Sequence, residues 1–320
     1  MALPPCGKMS RVLVLSAPYG SGHDRVAAAV ARALVTEGAE VETADHFERF
    51  VSPAFARLSR ALFWTVLRYA PALWGLAYQL SGRLPTGSPA MSGMNRLGAR
   101  ALERHLRETR PAAVVHVHPT SAGALSWLRA RGATRVPHAV VLTDFVAHRQ
   151  WVYPRVDRYF APVDEVGDGL AAVGVPADRV VVSGIPVDPA FATPQDRGAC
   201  RAQLGLPGDA PVVLVTAGMR GLLGGVAETC DVLAGLLPVP FRAVVVCGDH
   251  QALARRLRAR FGGEERFRIL GRVEAMERVM GAADLVVTKA GAVTCAEALA
   301  LGRPLVLYRS LRGQEGRNED

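Results

Sequence analysis

The apolar run Val12–Leu15 is short and β-branched, and it is followed at once by the turn Gly20-Ser21-Gly22 and an alanine-rich helical period from Asp24 to Leu34. That reads as strand, loop, helix. The same alternation predicts strands at Ala112–Val117, Ala139–Thr143, Tyr159–Pro162 and Val180–Ser183, then at Pro211–Thr216, Arg242–Cys247, Phe267–Leu270, Leu285–Thr288 and Pro304–Leu307. Continuous apolar strands alternating with helices belong to parallel sheets covered on both faces. Residues 184–208 break the alternation, being rich in Pro, Gly and Asp. The expected class is α/β, with a Rossmann-like domain over 9–184, a linker over 185–208 and a second Rossmann-like domain over 209–320. The carboxyl ends of both parallel sheets are expected to face an interdomain cleft. A length of 320 residues suits two domains that each bury a core.

One segment departs from this grammar. On a single helix over 55–80, Phe55, Leu58, Leu62, Val66 and Tyr69 fall on one side and Arg57, Arg60 and Arg68 on the other. Trp64, Trp74 and Tyr78 add amphipathic rings. Apolar face, arginine face and interfacial aromatics describe a helix lying in a membrane surface, or else a helix packed on its own domain with solvated arginines. A transmembrane span over 61–80 is disfavoured, because Arg68 and Pro71 sit near its middle.

Charge sharpens the picture. The chain carries a net charge of +9, but residues 1–160 hold 20 basic against 10 acidic residues and the remainder 18 against 19. No carboxylate occurs between Glu48 and Glu103. Such a stretch fits an anionic partner, and its apolar face fits an anionic membrane surface better than nucleic acid. The five cysteines are scattered and never spaced C-x-x-C, so neither a disulfide framework nor a zinc knuckle is indicated. With no apolar run suited to a signal peptide at the start, a cytoplasmic protein, peripheral on the inner face of the cell membrane, is expected.

Five sequence features could carry chemistry. Gly20-Ser21-Gly22-His23 joins the first strand to the first helix, where glycines permit a tight turn and helix N–H groups attract negative charge. It lacks the third glycine of the dinucleotide fingerprint, which disfavours a nicotinamide cofactor. His23 could take a proton near neutral pH, or the motif could be a structural turn. Asp144 and His148, with Trp151, follow a strand end and either line a crevice or cap the next segment. His116 and His118 alternate along a strand as a possible metal pair without an evident third ligand. In the second half, Lys289-Ala290-Gly291-Ala292-Val293-Thr294 precedes a helix bearing Glu297, an arrangement suited to a phosphate and a ribose. Gln314 and Glu315 carry groups suited to a sugar. No Asp-x-Asp pair is present, so no metal is expected.

In order along the chain, SAPYGSGH, TDFVAHRQW, GIPVDPAF, VVVCGDHQAL and the long run LGRVEAMERVMGAADLVVTKAGAVTCAEALALGRPLVLYRSLRGQE resemble the monogalactosyldiacylglycerol synthase and processive diacylglycerol glucosyltransferase group of glycosyltransferase family 28. The resemblance implies a GT-B fold and a UDP-sugar donor held mainly by the second domain. It also implies a diacylglycerol-type acceptor reached from the membrane, and inversion at the anomeric carbon. It places Gly20, Gly22 and His23 in the glycine-rich loop with the acceptor-activating histidine, and Asp144, His148 and Trp151 in the region beside it. Gly291, Thr294 and Glu297 match the donor nucleotide site, with Gln314 and Glu315 on the transferred sugar, and Gly218 is expected at the donor too, although its stretch Thr216-Ala217-Gly218-Met219-Arg220-Gly221 departs from the family's glycine-rich run. Arg57, Arg60, Trp64, Arg68 and Trp74 would face the membrane. Ala290-Gly291-Ala292 stands where the family commonly has Pro-Gly-Gly, which leaves the sugar open. The last motif ends just before Asp320, so the C-terminal domain is expected to be shortened. The competing expectations are a peptidoglycan-type UDP-N-acetylglucosamine transferase, a UDP-sugar 2-epimerase and a non-catalytic nucleotide-sugar-binding protein.

Overall fold

The computed structural model describes residues 10–84, 93, 96–218, 224–236 and 239–308. Two compact units emerge: Met1–Val66 with Ala72–Asp188, and Pro189–Asp320 with the short stretch Leu67–Pro71.

In the first unit the strands are β1 (Arg11–Ser16), β2 (Glu40–Asp45), β3 (Ala113–His116), β4 (His138–Val141), β5 (Arg158–Ala161) and β6 (Val180–Val182). All neighbouring pairs are parallel, in the order β2-β1-β3-β4-β5-β6. The helices are α1 (Ser21–Thr36), α2 (Pro53–Tyr69), α3 (Pro71–Arg83), α4 (Ala99–Thr109), α5 (Pro119–Ala130) and α6 (Asp164–Ala172). Leu13, Leu15 and Val114 of the sheet pack with Leu102 and Leu106 of α4 and Leu125 and Leu128 of α5 into a dry core.

The second unit begins with the short helices α7 (Pro189–Ala192) and α8 (Arg197–Gln203). Its strands are β7 (Val212–Thr216), β8 (Arg242–Val246), β9 (Phe267–Leu270), β10 (Leu285–Thr288) and β11 (Leu305–Leu307), again all parallel, in the order β11-β10-β7-β8-β9. Helices α9 (Val226–Gly235), α10 (Gln251–Phe261), α11 (Met276–Ala282) and α12 (Ala292–Ala300) alternate with them. Val215, Ala243, Val245 and Val287 pack against Val226, Cys230, Leu257 and Phe261.

Each sheet reverses its direction of growth once, between β1 and β3 in the first unit and between β7 and β10 in the second. The strand ends at such a switch point diverge and leave a crevice, which is where open α/β sheets bind ligands.

Three features differ from the sequence expectation. Strand β2 is absent from it, because Glu40-Val41-Glu42-Thr43-Ala44-Asp45 is an edge strand whose polar residues carry no apolar run. The residues expected as linker, 185–208, include α7 and α8. Buried Arg201 of α8 bonds to the Ala282 carbonyl at 3.1 Å and to the Asp284 carboxylate at 2.6 Å, and the same carboxylate oxygen accepts from the Val212 amide at 2.7 Å. Polar anchoring has no hydrophobic period to read. Finally, the single helix expected over 55–80 is two, because Pro71 lacks the N–H that would continue α2 and starts α3 instead.

Candidate functional site

The first unit gathers its chemistry at the β1/β3 switch point. Gly20 precedes α1 with φ 127°, a conformation that side chains oppose, yet a Cβ there would meet nothing within 4 Å. The glycine is therefore set by backbone shape, and the space above it is open. His23 lies in the first turn of the same helix. Its Nδ1 is 3.2 Å from the hydroxyl of Thr143, just beyond β4, and the Val117 backbone carbonyl is a second hydrogen-bond partner of the ring. The His118 ring meets it edge-to-face at 5.1 Å, and the Trp151 ring stands at 6.4 Å. Burial outweighs the Val117 carbonyl and pushes the His23 pKa down to about 4. At neutral pH the imidazole is uncharged, so one ring nitrogen offers a lone pair.

The other residues expected in this region divide. Asp144 is half-buried next to Thr143, and its charge acts on Tyr78. Burial, followed by that carboxylate, raises the Tyr78 phenol above its ordinary range. His148 is buried. Its Nε2 pairs with the Tyr78 carbonyl at 3.1 Å, its Nδ1 accepts from the Gln150 amide at 3.2 Å, and its ring lies 4.2 Å from that of Tyr78. Nε2 and the ring face thus hold α3, while Nδ1 caps the turn over 149–151. Trp151 belongs to the apolar core with Val140, Leu142 and Tyr159. His116 and His118 do not form a metal pair. His116 shares a hydrogen bond of 3.1 Å with His138, whereas His118 caps α5 through the Thr120 amide at 3.3 Å. Among the described residues no three His, Cys, Asp or Glu side chains are grouped to hold a metal ion.

Three contributors were missed in the sequence. Thr143 was read only as the strand's last residue, and His118 only as a possible ligand. Asp24 follows His23, accepts from Ser16 Oγ at 2.8 Å and feels Arg60, while burial raises its carboxyl. A polar side chain immediately past a strand's carboxyl end is the one signal that could have found Thr143.

The second unit presents its own switch point. Gly218 follows β7 with φ 47°, and a Cβ there would come within 2.9 Å of Lys289 Cε. Lys289, just past β10, is itself buried, so its stem lies against a residue that has no room for a side chain. Gly291 is the N-cap of α12, Thr294 is half-buried in its first turn, and Glu297 is buried with 2% exposure. Glycines at both switch-point strands, a lysine and the start of a nine-residue helix suit a diphosphate. Gln314 and Glu315 lie outside the described residues.

Comparison with known proteins bears on both units. Residues 23–187 match the family described as monogalactosyldiacylglycerol (MGDG) synthase, and residues 223–316 match the glycosyltransferase family 28 C-terminal domain. A processive diacylglycerol beta-glucosyltransferase from Bacillus cytotoxicus is 30% identical over 314 residues, covering 97% of this chain and 79% of its own. The chain belongs to this glycosyltransferase family. Solved structures carry the same architecture at low identity. Staphylococcus aureus MnaA in a co-structure with UDP superposes with a TM-score of 0.58 at 14% identity, covering 97% of this chain and 86% of the other. Acinetobacter baumannii MurG gives 0.57 at 16% identity, covering 97% and 82%. The fold of this glycosyltransferase is thus GT-B, as its motifs imply.

The amphipathic segment of the enzyme is exposed in part. Ala56, Phe63 and Leu67 form the buried stripe of α2, while Leu58 (71% exposed), Leu62 (61%) and Tyr69 (74%) face outward. Leu73, Leu76 and Leu80 do the same on α3, and Arg57, Arg60 and Arg68 are exposed. Phe55 turns inward to stack on Phe47 at 5.8 Å, and Trp74 packs edge-on to Phe63 at 5.0 Å, as does Trp64 at 5.2 Å. The leucines, not the tryptophans, make the outward face. No helix of the described residues is long and apolar enough to cross a membrane.

Buried histidines also give the first unit a pH signature. Burial pushes His46 and His138 down to about 4 and holds His116 and His118 well below 6.5. Such groups take up protons in the unfolded chain before the folded one, so stability is full above pH 6.5 and is lost as pH falls towards 4. His46 and His138 each forfeit up to about 2 kcal/mol by pH 5. Asp24 and Asp45, whose carboxyls burial raises, oppose this in part at lower pH. The urea midpoint is accordingly expected to fall clearly between pH 7.5 and pH 5.

Proposed function

We propose that the enzyme transfers a hexose from a UDP-sugar to diacylglycerol or a related glycerolipid, with inversion, without a metal and at an anionic membrane surface. The observation that carries this reading is the placement of His23 at the first switch point, in the first turn of α1 with its Nδ1 on the Thr143 hydroxyl, in a chain whose family relatives are named for diacylglycerol glycosylation. The His23 lone pair removes the proton of the lipid hydroxyl as its oxygen bonds to the sugar C1. The bond from C1 to the UDP oxygen breaks, and the electron pair leaves with the diphosphate. A base of low pKa is a modest proton acceptor, so proton removal accompanies carbon–oxygen bond formation instead of preceding it.

The second unit supplies the leaving-group side. The amides at the start of α12 and the Lys289 ammonium balance the diphosphate charge, and Glu297 accepts from the ribose hydroxyls. Two rows of leucines on α2 and α3, flanked by exposed arginines, suit an interface where apolar side chains enter the acyl boundary and guanidinium groups meet anionic headgroups. Replacing Leu58 and Leu62 together by aspartate is expected to lower co-sedimentation with phosphatidylglycerol vesicles at least tenfold without altering UDP binding. Undiminished co-sedimentation would place the membrane contact elsewhere. The activity itself is tested by incubating the enzyme with a panel of UDP-sugars and diacylglycerol vesicles in the presence of a chelator.

A further inference from the structure

Within the Thr143-Asp144-Phe145 sequence, the carboxylate is the obvious partner for a catalytic histidine. In the structure the hydroxyl of the preceding residue meets the ring. Thr143 is buried, with 4% exposure, and its Oγ1 lies 3.2 Å from His23 Nδ1. The charge of Asp144 is felt by Tyr78. The His23 ring is further bounded by His118 at 5.1 Å and Trp151 at 6.4 Å, both from elements that the first sheet's core fixes in place. A ring held between two aromatic neighbours keeps one free choice, which is the pair of nitrogens its polar contacts select.

We infer that Thr143 is the positioning residue of His23, holding the imidazole by its Nδ1 edge so that Nε2 carries the lone pair that receives the acceptor proton. This rests on the proposed role of His23 as the base. In this arrangement the hydroxyl oxygen accepts from Nδ1–H across the 3.2 Å contact, which leaves the lone pair on Nε2. A hydroxyl holds the ring without adding a negative charge beside it. A carboxylate in the same place would favour the imidazolium, which has no lone pair to offer. Thr143 therefore orients the base and leaves it neutral. Because Thr143 is buried, with 4% exposure, its removal should lower turnover and leave substrate affinity nearly unchanged.

The test compares the full-length wild type with Thr143→Val, Thr143→Ser and His23→Ala. Thr143→Val keeps the shape and removes the hydroxyl. It is expected to lower kcat about 10- to 100-fold, the loss that follows from a misplaced catalytic group, with KM for the UDP-sugar changed less than twofold. Thr143→Ser is expected to restore most of the loss. A Thr143→Val enzyme with wild-type kcat overturns the inference, as does a valine variant whose loss falls on KM alone. Nitrogen-15 spectra of the wild type at pH 7, with the His23 signals assigned by their absence in His23→Ala, give a readout that does not depend on any Thr143 variant folding. They are expected to show a protonated Nδ1 and an unprotonated Nε2, and the opposite tautomer overturns the inference. An active His23→Ala enzyme would remove His23 as the base and this inference with it, whereas an inactive His23→Ala beside a fully active Thr143→Val would remove only the role of Thr143.

Discussion

Replacing His23 by alanine is expected to lower sugar transfer by about a hundred- to ten-thousandfold, the range associated with losing a general base, while UDP affinity and vesicle binding stay within twofold of the wild type. The determinants all lie within the first unit. His23 sits in the first turn of α1, beside a glycine whose surroundings are open, and its ring is held by Thr143, His118 and Trp151. Because the His23 pKa is pushed down to about 4, the acid limb of kcat/KM is expected well below pH 6. Rates measured between pH 5 and 8 should therefore change little through this group, once measured at a temperature where the fold is intact. An acid limb centred near 6.5 would mean that the base is another group or that the ring is more exposed during turnover than in the resting enzyme.

The second large effect belongs to the donor side. Changing Glu297 to glutamine is expected to weaken UDP binding about 10- to 100-fold, because a charged acceptor to ribose hydroxyls is worth about 1.5–3 kcal/mol. Glu297 is buried one turn into α12, next to the helix start capped by Gly291, so an isosteric amide disturbs the packing least. Titration calorimetry with UDP alone separates this from catalysis. Unaltered affinity in the glutamine variant would take Glu297 out of the nucleotide site. The two variants should behave as opposites: His23→Ala binds UDP and does not transfer, and Glu297→Gln transfers once the donor is raised.

How much of this was readable beforehand depended on what kind of physics wrote each feature. The parallel strands announced themselves, since β7, β9 and β10 are apolar runs whose ends agree with expectation to within a residue. Strand β2 did not, because an edge strand can be Glu-Val-Glu-Thr and still complete its ladder with β1. Helix α8 escaped for a similar reason, being fastened by Arg201 and Asp284 instead of by an apolar stripe. The break at Pro71 was visible in the residue itself, yet the hydrophobic period continues across it.

The site residues show the same division. Gly20, Gly218 and Gly291 stand at turns that the strand pattern locates, His23 and Glu297 lie in the helices that follow, and the sheet order puts each group at a switch point of its own unit. His148 and Trp151 were legible as neighbours of that site but not in the contacts they make, His148 with Tyr78 and Trp151 within the apolar core. Thr143 was hidden because a threonine at a strand end resembles any β-branched residue, and only the fold brings residue 143 to residue 23. The outward leucines of α2 were legible in their period. That Phe55 and the tryptophans face inward was not, since a helical wheel does not say which neighbour each ring will meet.

The most direct measurement is mass analysis of the lipid recovered after the enzyme has been incubated with diacylglycerol vesicles, a panel of UDP-sugars and a chelator. A diacylglycerol heavier by one or more hexose units, with UDP released in equal amount, is the predicted result. A donor that is epimerised or left intact while the lipid mass is unchanged, from protein shown to be folded and to bind UDP, would contradict the account.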